Sequence, residues 1–123
     1  MLQKSPMFAY IPAKDVARAR VFYEEKLGFE PGKALAGGVS YECAAGTACF
    51  LYSTPNAGTS SASQAFWEVE NIEREVAELR AKGVAFEDYG MPNTVDGITT
   101  AGGAKAAWFK DSEGNIMAIV QTL

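Results

Sequence analysis

Few residues in this chain could carry acid–base or nucleophilic chemistry, and the strongest constraint is an absence: its 123 residues include no histidine. The side chain that most often ligates metals and acts as general base near neutral pH is therefore missing. Cys43 and Cys49 could be nucleophiles. No imidazole is present to activate a thiol, so both read as small apolar strand residues. Glu42, Glu68 and Asp96 would serve as general bases if burial raised their pKa values. Nothing in their spacing selects one, and most carboxylates are solvated surface groups. Lys105 could meet an anionic ligand group or simply solvate a strand end. The Gly102–Gly103 pair lacks the strand-to-helix setting of a phosphate loop.

The charge balance narrows the partners. A net charge of -4 and a pI of about 4.8 argue against nucleic acid or an anionic membrane surface. No apolar run approaches the ~18 residues of a membrane-crossing helix. The start, Met1 to Pro6, lacks the apolar stretch of a secretory leader. Two cysteines make no disulfide framework, so a cytoplasmic protein with reduced thiols is expected. The length and 48% hydrophobic content suit one domain with a core that needs no covalent staples.

The elements that must position these residues come in two similar halves. Ala9-Tyr10-Ile11 is followed by Asp15 and a helical stretch ending at Leu27-Gly28-Phe29. Ala65-Phe66-Trp67 is followed by Asn71 and a helical stretch ending at Lys82-Gly83-Val84, an offset of 56 residues from Ala9 to Ala65 and of 55 from Gly28 to Gly83. Asp15 and Asn71 sit where N-caps belong, and the glycines sit just past the C-termini. The helices, Val16 to Leu27 and Ile72 to Lys82, carry apolar rows Val16, Ala19, Tyr23, Leu27 and Ile72, Val76, Leu79. Strands are predicted at Met7–Pro12, Gly32–Ala34, Gly38–Ala44 and Thr47–Ser53, with Ala45-Gly46 as a hairpin tip. In the second half they fall at Gln64–Val69, Ala85–Tyr89, Lys105–Lys110 and Asn115–Gln121, with a turn at Asp111–Gly114. The fold class is α+β: a βαβββ module over residues 1–54, a connector over 55–63 and a second module over 64–123, in one domain. One helix covers one face of each sheet; the other faces meet to make a curved trough. The segment Gly90–Gly103 reads as a loop bordering that trough.

With this plan the chain resembles the vicinal-oxygen-chelate superfamily, which includes glyoxalase I, bleomycin-resistance proteins and extradiol dioxygenases. The resemblance rests on Asp15–Phe29, with its Phe22-Tyr23 pair before Leu-Gly-Phe, and on Trp108–Ile119, with the turn Phe109-Lys110-Asp111-Ser112-Glu113-Gly114-Asn115. It implies four trough positions where metal-dependent members carry His, Glu or Gln. Here they fall on Phe8, Gln64, Ala118 and a fourth near Leu51 or Tyr52. One amide among non-ligands cannot hold a divalent ion. The resemblance thus implies the fold without the metal, and no cofactor. It also implies a homodimer with sites near the interface.

If Phe8 and Gln64 face the trough, strand alternation puts Tyr10, Phe66 and Glu68 there too, with Ile116, Ala118 and Val120 sharing a face of the last strand. Tyr41, Phe50, Tyr52 and Trp108 are possible additions. The candidate ligand-binding set is Phe8, Tyr10, Tyr52, Gln64, Phe66, Glu68, Trp108 and Ala118. An aromatic pocket with few polar groups suits an apolar or planar organic molecule. That reading requires that Phe8, Tyr10, Phe66 and Trp108 not fill the trough themselves. The alternatives are a metal-independent lyase or isomerase using Glu68 or Glu42, a glyoxalase-like metalloenzyme if the ligand positions lie elsewhere, and a protein acting through an exposed apolar contact surface.

Overall fold

The computed structural model describes residues 1–88 and 94–123. Each half folds as a strand, a helix and three strands. The first comprises β1 (Ala9–Ala13), α1 (Val16–Val21), β2 (Lys33–Leu35), β3 (Gly38–Glu42) and β4 (Ala48–Ser53). The second comprises β5 (Ala65–Glu68), α2 (Ile72–Ala81), β6 (Thr99–Ala101), β7 (Ala104–Lys110) and β8 (Ile116–Thr122). The sheets have equivalent orders, β1-β4-β3-β2 and β5-β8-β7-β6. In each, the first strand lies parallel to the last and the other pairs are antiparallel.

The helix starts follow the sequence signals. Arg18 N donates to Asp15 Oδ1 at 3.0 Å and Arg74 N donates to Asn71 Oδ1 at 3.0 Å, each satisfying an orphan donor of a first turn. After Val21 the first helix continues as a wider turn over Phe22–Lys26, closed by Leu27 N donating to Phe22 O at 3.1 Å. The extra residue in such a turn shifts the helix face. It lets sequence neighbours Phe22 and Tyr23 both reach the core, where they are 7% and 0% exposed. A strict helical row includes only Tyr23. Gly28 at φ +78° and Gly83 at φ +92° end the two helices in the left-handed region.

Three expectations differ from the structure. No strand forms in the described part of Ala85–Tyr89; Phe86 makes a single bridge to Phe109, and Tyr89 lies outside the described residues. The segment read as the loop Gly90–Gly103 instead contains β6, preceded by a tight turn with Val95 N to Ile98 O at 2.8 Å and Ile98 N to Val95 O at 3.0 Å; its residues 90–93 are outside the described set. Three residues suffice for an edge strand held by β7 alone, too few to show alternation. Its neighbourhood also differs: with Arg80 and Lys105 it borders a separate depression of about 560 Å³ beside α2, not the trough.

The modules are joined along their helix-covered sides. Phe29, Trp67, Phe109 and Phe22 form a chain of ring contacts with centroids 6.0–6.3 Å apart, crossing from the first module to the second. Polar contacts reinforce it through the turn between β7 and β8. Asp111 Oδ2 accepts from Tyr23 Oη at 2.7 Å and from Asn115 Nδ2 at 2.9 Å, while its Oδ1 accepts the Glu113 and Asn115 amides at 2.9 Å. Glu113 accepts from Arg18 Nε at 2.8 Å and from Asp15 N at 2.9 Å. Asn115 Nδ2 also donates to Pro12 O at 2.7 Å. Residues that read in sequence as turn formers thus also clamp the first module to the second. Burial pushes the Tyr23 phenol well above its ordinary range, and the Asp111 charge adds to it. Burial alone would raise the Glu113 carboxyl as well; hydrogen bonds from Arg18, Asp15 N and Ser112 reverse this and hold it at about 2.

With the modules joined on that side, the opposite faces of the sheets stay open. Phe8, Tyr10 and Phe66 are 57%, 62% and 63% exposed, so the trough is not packed shut by its own aromatics.

Candidate functional site

The open face is set by the alternation of β1 and β5. Ile11 is fully buried and Ala9 packs beside it under the first helix, while Tyr10 turns outward. Trp67 and Val69 pack into the core, and Phe66 and Glu68 turn outward. The pairing register aligns the remaining strands with these two. Tyr10 lies beside Phe50 and Pro12 beside Tyr52 in the first sheet. Phe66 lies beside Ala118 and Ala118 beside Trp108 in the second. One cross-strand row therefore reads Phe66, Ala118, Trp108: two aromatic residues flanking a methyl group.

Between the edge strands β1 and β5, Gln64 Nε2 donates to Tyr10 O at 3.1 Å. Around this junction lies an open cavity of about 1330 Å³ whose walls include Phe8, Tyr10, Gln64, Phe66, Glu68, Trp108 and Ala118. These are seven of the eight candidate residues. Tyr52 is the exception: it does not border the cavity, and its ring packs on Tyr10 with centroids 4.4 Å apart. The wall also includes Met7, Glu70 and the turn from Cys43 to Thr47, which sequence reasoning did not place in the site. Apart from Cys43, that turn consists of small residues with no chemical signature; Ala45 at φ +57° beside Gly46 at φ +75° bends it, and the strain at the alanine is invisible in the sequence.

Other candidates fall elsewhere. Tyr41 is in the core, donating to Glu24 Oε2 at 2.6 Å, with its phenol pushed up first by burial and then by Glu24. Leu51 is fully buried, which leaves Tyr52 as the fourth position on the open face. Cys49 is buried and its thiol is pushed up to about 12, by burial and then by the neighbouring Cys43, so it is a protonated core group at neutral pH. Lys105 pairs with Glu73 beside α2, and Asp96 sits in the turn before β6, where its carbonyl accepts from Arg80 at 2.8 Å. Glu42 is exposed near the end of the first sheet, and Glu68 is exposed at the end of β5, accepting from Thr122 Oγ1 at 3.1 Å. No second titratable side chain bonds to Glu68 to form an acid–base pair among the described contacts.

The donor set at the four positions does not fit a divalent ion. Phe8 and Ala118 offer no ligand atom, Tyr52 a phenol whose ring packs on Tyr10, and Gln64 a single neutral amide oxygen whose Nε2 is bonded to the Tyr10 carbonyl, too few converging donors for a divalent ion. Among the described residues, no group of three or more His, Cys, Asp or Glu is placed to hold a metal. What the arrangement offers is apolar contact area with amide and carboxylate groups at its edges.

Comparison with known proteins agrees with this plan. The sequence matches the Glyoxalase/Bleomycin resistance protein/Dioxygenase superfamily over residues 6–119. No curated protein matches the chain in sequence. Among solved structures it is similar to TnmS3, an antibiotic binding protein from Streptomyces sp. CB03234, at a TM-score of 0.77 and 21% identity, with 100% of this chain and 99% of that one covered. It is also similar to a glyoxalase/bleomycin resistance protein/dioxygenase from Alicyclobacillus acidocaldarius (TM-score 0.75, 12% identity, coverage 98% and 92%). A third is lactoylglutathione lyase from Agrobacterium tumefaciens (TM-score 0.72, 15% identity, coverage 96% and 93%). At these identities the structures speak for the fold, and the match over residues 6–119 speaks for the family. This chain belongs to the Glyoxalase/Bleomycin resistance protein/Dioxygenase superfamily.

Proposed function

We propose that this protein binds a flat organic molecule in the open trough, without a metal ion and without a chemical step. One observation carries the reading: Phe8, Tyr10 and Phe66 are each more than half exposed on the wall of a single cavity. Aromatic surface left in water on a concave wall gains free energy when a ligand covers it. Stacking contributes about 0.5–1.5 kcal/mol per ring pair beyond area burial. Several such contacts, set against the cost of association, support affinities around the micromolar range. The likeness to an antibiotic binding protein points the same way.

The cavity, at about 1330 Å³, is larger and more open than the roughly 300–1,000 Å³ of ordinary small-molecule pockets. A homodimer, in which a second copy covers part of each open face, would reduce both the exposed apolar area and the solvent access. Two free cysteines with no bridge suit a reducing cytoplasmic setting, and no described helix is long and apolar enough to cross a membrane.

A thermal-shift screen tests the reading, because a ligand selective for the native state raises its stability. Flat aromatic compounds should stabilise the protein, and Zn²⁺, Ni²⁺, Mn²⁺ and Fe²⁺ at low concentration should not. Stabilisation by a metal alone would return the metalloenzyme reading.

A further inference from the structure

We infer that the trough selects flat aromatic molecules that carry a positive charge; this inference rests on the reading of the trough as a small-molecule site. The cross-strand register supplies the geometry. Phe66 on β5 and Trp108 on β7 flank Ala118 on β8. Neighbouring strands lie about 4.8 Å apart, so the two aromatic residues stand on backbones separated by about 10 Å. The alanine between them leaves a slot that can take one planar ring system.

The next row on the same face, one pleat period or about 7 Å along, reads Glu68, Val120, Ala106. Glu68 therefore stands at one end of the slot, beside its aromatic wall. Its carboxylate accepts one described side-chain bond, from Thr122 Oγ1 at 3.1 Å, and a carboxylate has about four lone-pair sites. Glu70 also borders the cavity.

The charged residues among the cavity's described walls are these two glutamates, with no lysine or arginine. Two lysines share the outward faces of the sheets without bordering the cavity. Lys110 lies beside Ile116, beyond Trp108 and away from Glu68, and Lys33 lies beside Ser40 on the edge strand of the first sheet. The nearest fixed charge at the Glu68 end is thus negative, within a chain of net charge -4. The aromatic faces add to this preference, because their quadrupole attracts a cation placed over the ring. The Glu68 side chain spans part of the distance between the rows, so an ammonium group carried one methylene off the ligand's ring system would meet its carboxylate, and a carboxylate at the same place would be repelled.

Three probes of one shape separate the possibilities: 9-(aminomethyl)anthracene, protonated at pH 7, the neutral 9-anthracenemethanol and the anionic 9-anthracenecarboxylate. Titration calorimetry on the full chain reads their affinities. An exposed charge pair changes affinity by up to about fivefold, so attraction of one probe and repulsion of another should separate amine from carboxylate by roughly tenfold. Glu68→Gln should shrink that ratio to within about threefold, and 0.5 M salt should shrink it in the wild type. Equal affinity for all three overturns the charge inference and leaves the aromatic trough standing. A ratio unchanged in a folded Glu68→Gln protein also overturns it. Failure of all three probes to bind overturns the charge inference and the trough reading together.

Discussion

Glu113 gives the sharpest test of how the two modules are held together. Its side chain is fully enclosed, yet its carboxyl is held at about 2, against an ordinary value of 4.5. Three donors cause this: the Arg18 guanidinium at 2.8 Å, the Asp15 amide at 2.9 Å and the Ser112 hydroxyl at 2.8 Å. A depressed folded-state value means that the carboxylate stabilises the native state above pH 4.5 and that this stability is lost as pH falls towards 2. At about 1.4 kcal/mol per pH unit, the depression corresponds to about 3 kcal/mol, or about 2 after allowing for solvent screening of the half-exposed Arg18. More than half of that should be gone at pH 3. Urea denaturation of the wild type and Glu113→Gln at pH 6 and pH 3 isolates the contribution, because every other carboxylate is common to both. The wild type should lose about 1–2 kcal/mol more than the variant over that interval. Parallel losses would refute the role given to Glu113, and with it the claim that a buried charge in the β7–β8 turn fastens α1.

Other perturbations should separate fold from site. Tyr23→Phe removes the hydroxyl bonded to Asp111 and should cost about 1–2 kcal/mol by urea denaturation; no change would mean the clamp is dispensable. Phe66→Ala should leave stability within about 0.5 kcal/mol, because the ring is 63% exposed, and should weaken a flat aromatic ligand by roughly 3–10-fold in a calorimetric titration. A large loss of stability with unchanged binding would reverse the assignment of Phe66 from core to trough. Cys49, with its thiol pushed up to about 12, should resist iodoacetamide at pH 8 until the protein is denatured; ready labelling of Cys49 in the native protein, located by mass spectrometry, would contradict its burial.

The sequence carries the fold in features with a fixed period or a fixed chemistry. The two N-caps, the two terminating glycines and the 55–56-residue repeat define the modules, since each signal has one local cause and little competition. Alternation along β1 and β5 likewise sorts Tyr10 and Phe66 from Ile11 and Trp67, and on β8 the pairing of Ala118 with Phe66 and Trp108 sets it on the open face. What tertiary contacts decide is hidden. Tyr41 and Tyr52 are both strand tyrosines, and only the pairing of Tyr41 with Cys49 and of Tyr52 with Pro12 sends one to the core and the other to the open face. The burial of Phe22 depends on a widened turn, and β6 is too short to show a period. Asp111, Glu113 and Asn115 look like turn residues in any context; their contacts with Tyr23, Arg18 and Pro12 lie 88 to 103 residues away in sequence. The strand register also explains why the metal-ligand positions are legible without histidine: they are places on a frame, and the residues filling them here are apolar apart from Gln64 and the Tyr52 phenol.

The claim most in need of a direct test is that the open aromatic face takes up the ligand. Amide and side-chain NMR shifts of the labelled protein should be followed while a stabilising flat aromatic compound is added. The reading requires the largest changes at Tyr10, Gln64, Phe66, Trp108 and Ala118, with little change at Arg80, Thr100 and Lys105 beside the second depression. Changes confined to that second group, or spread evenly over the chain, would contradict it.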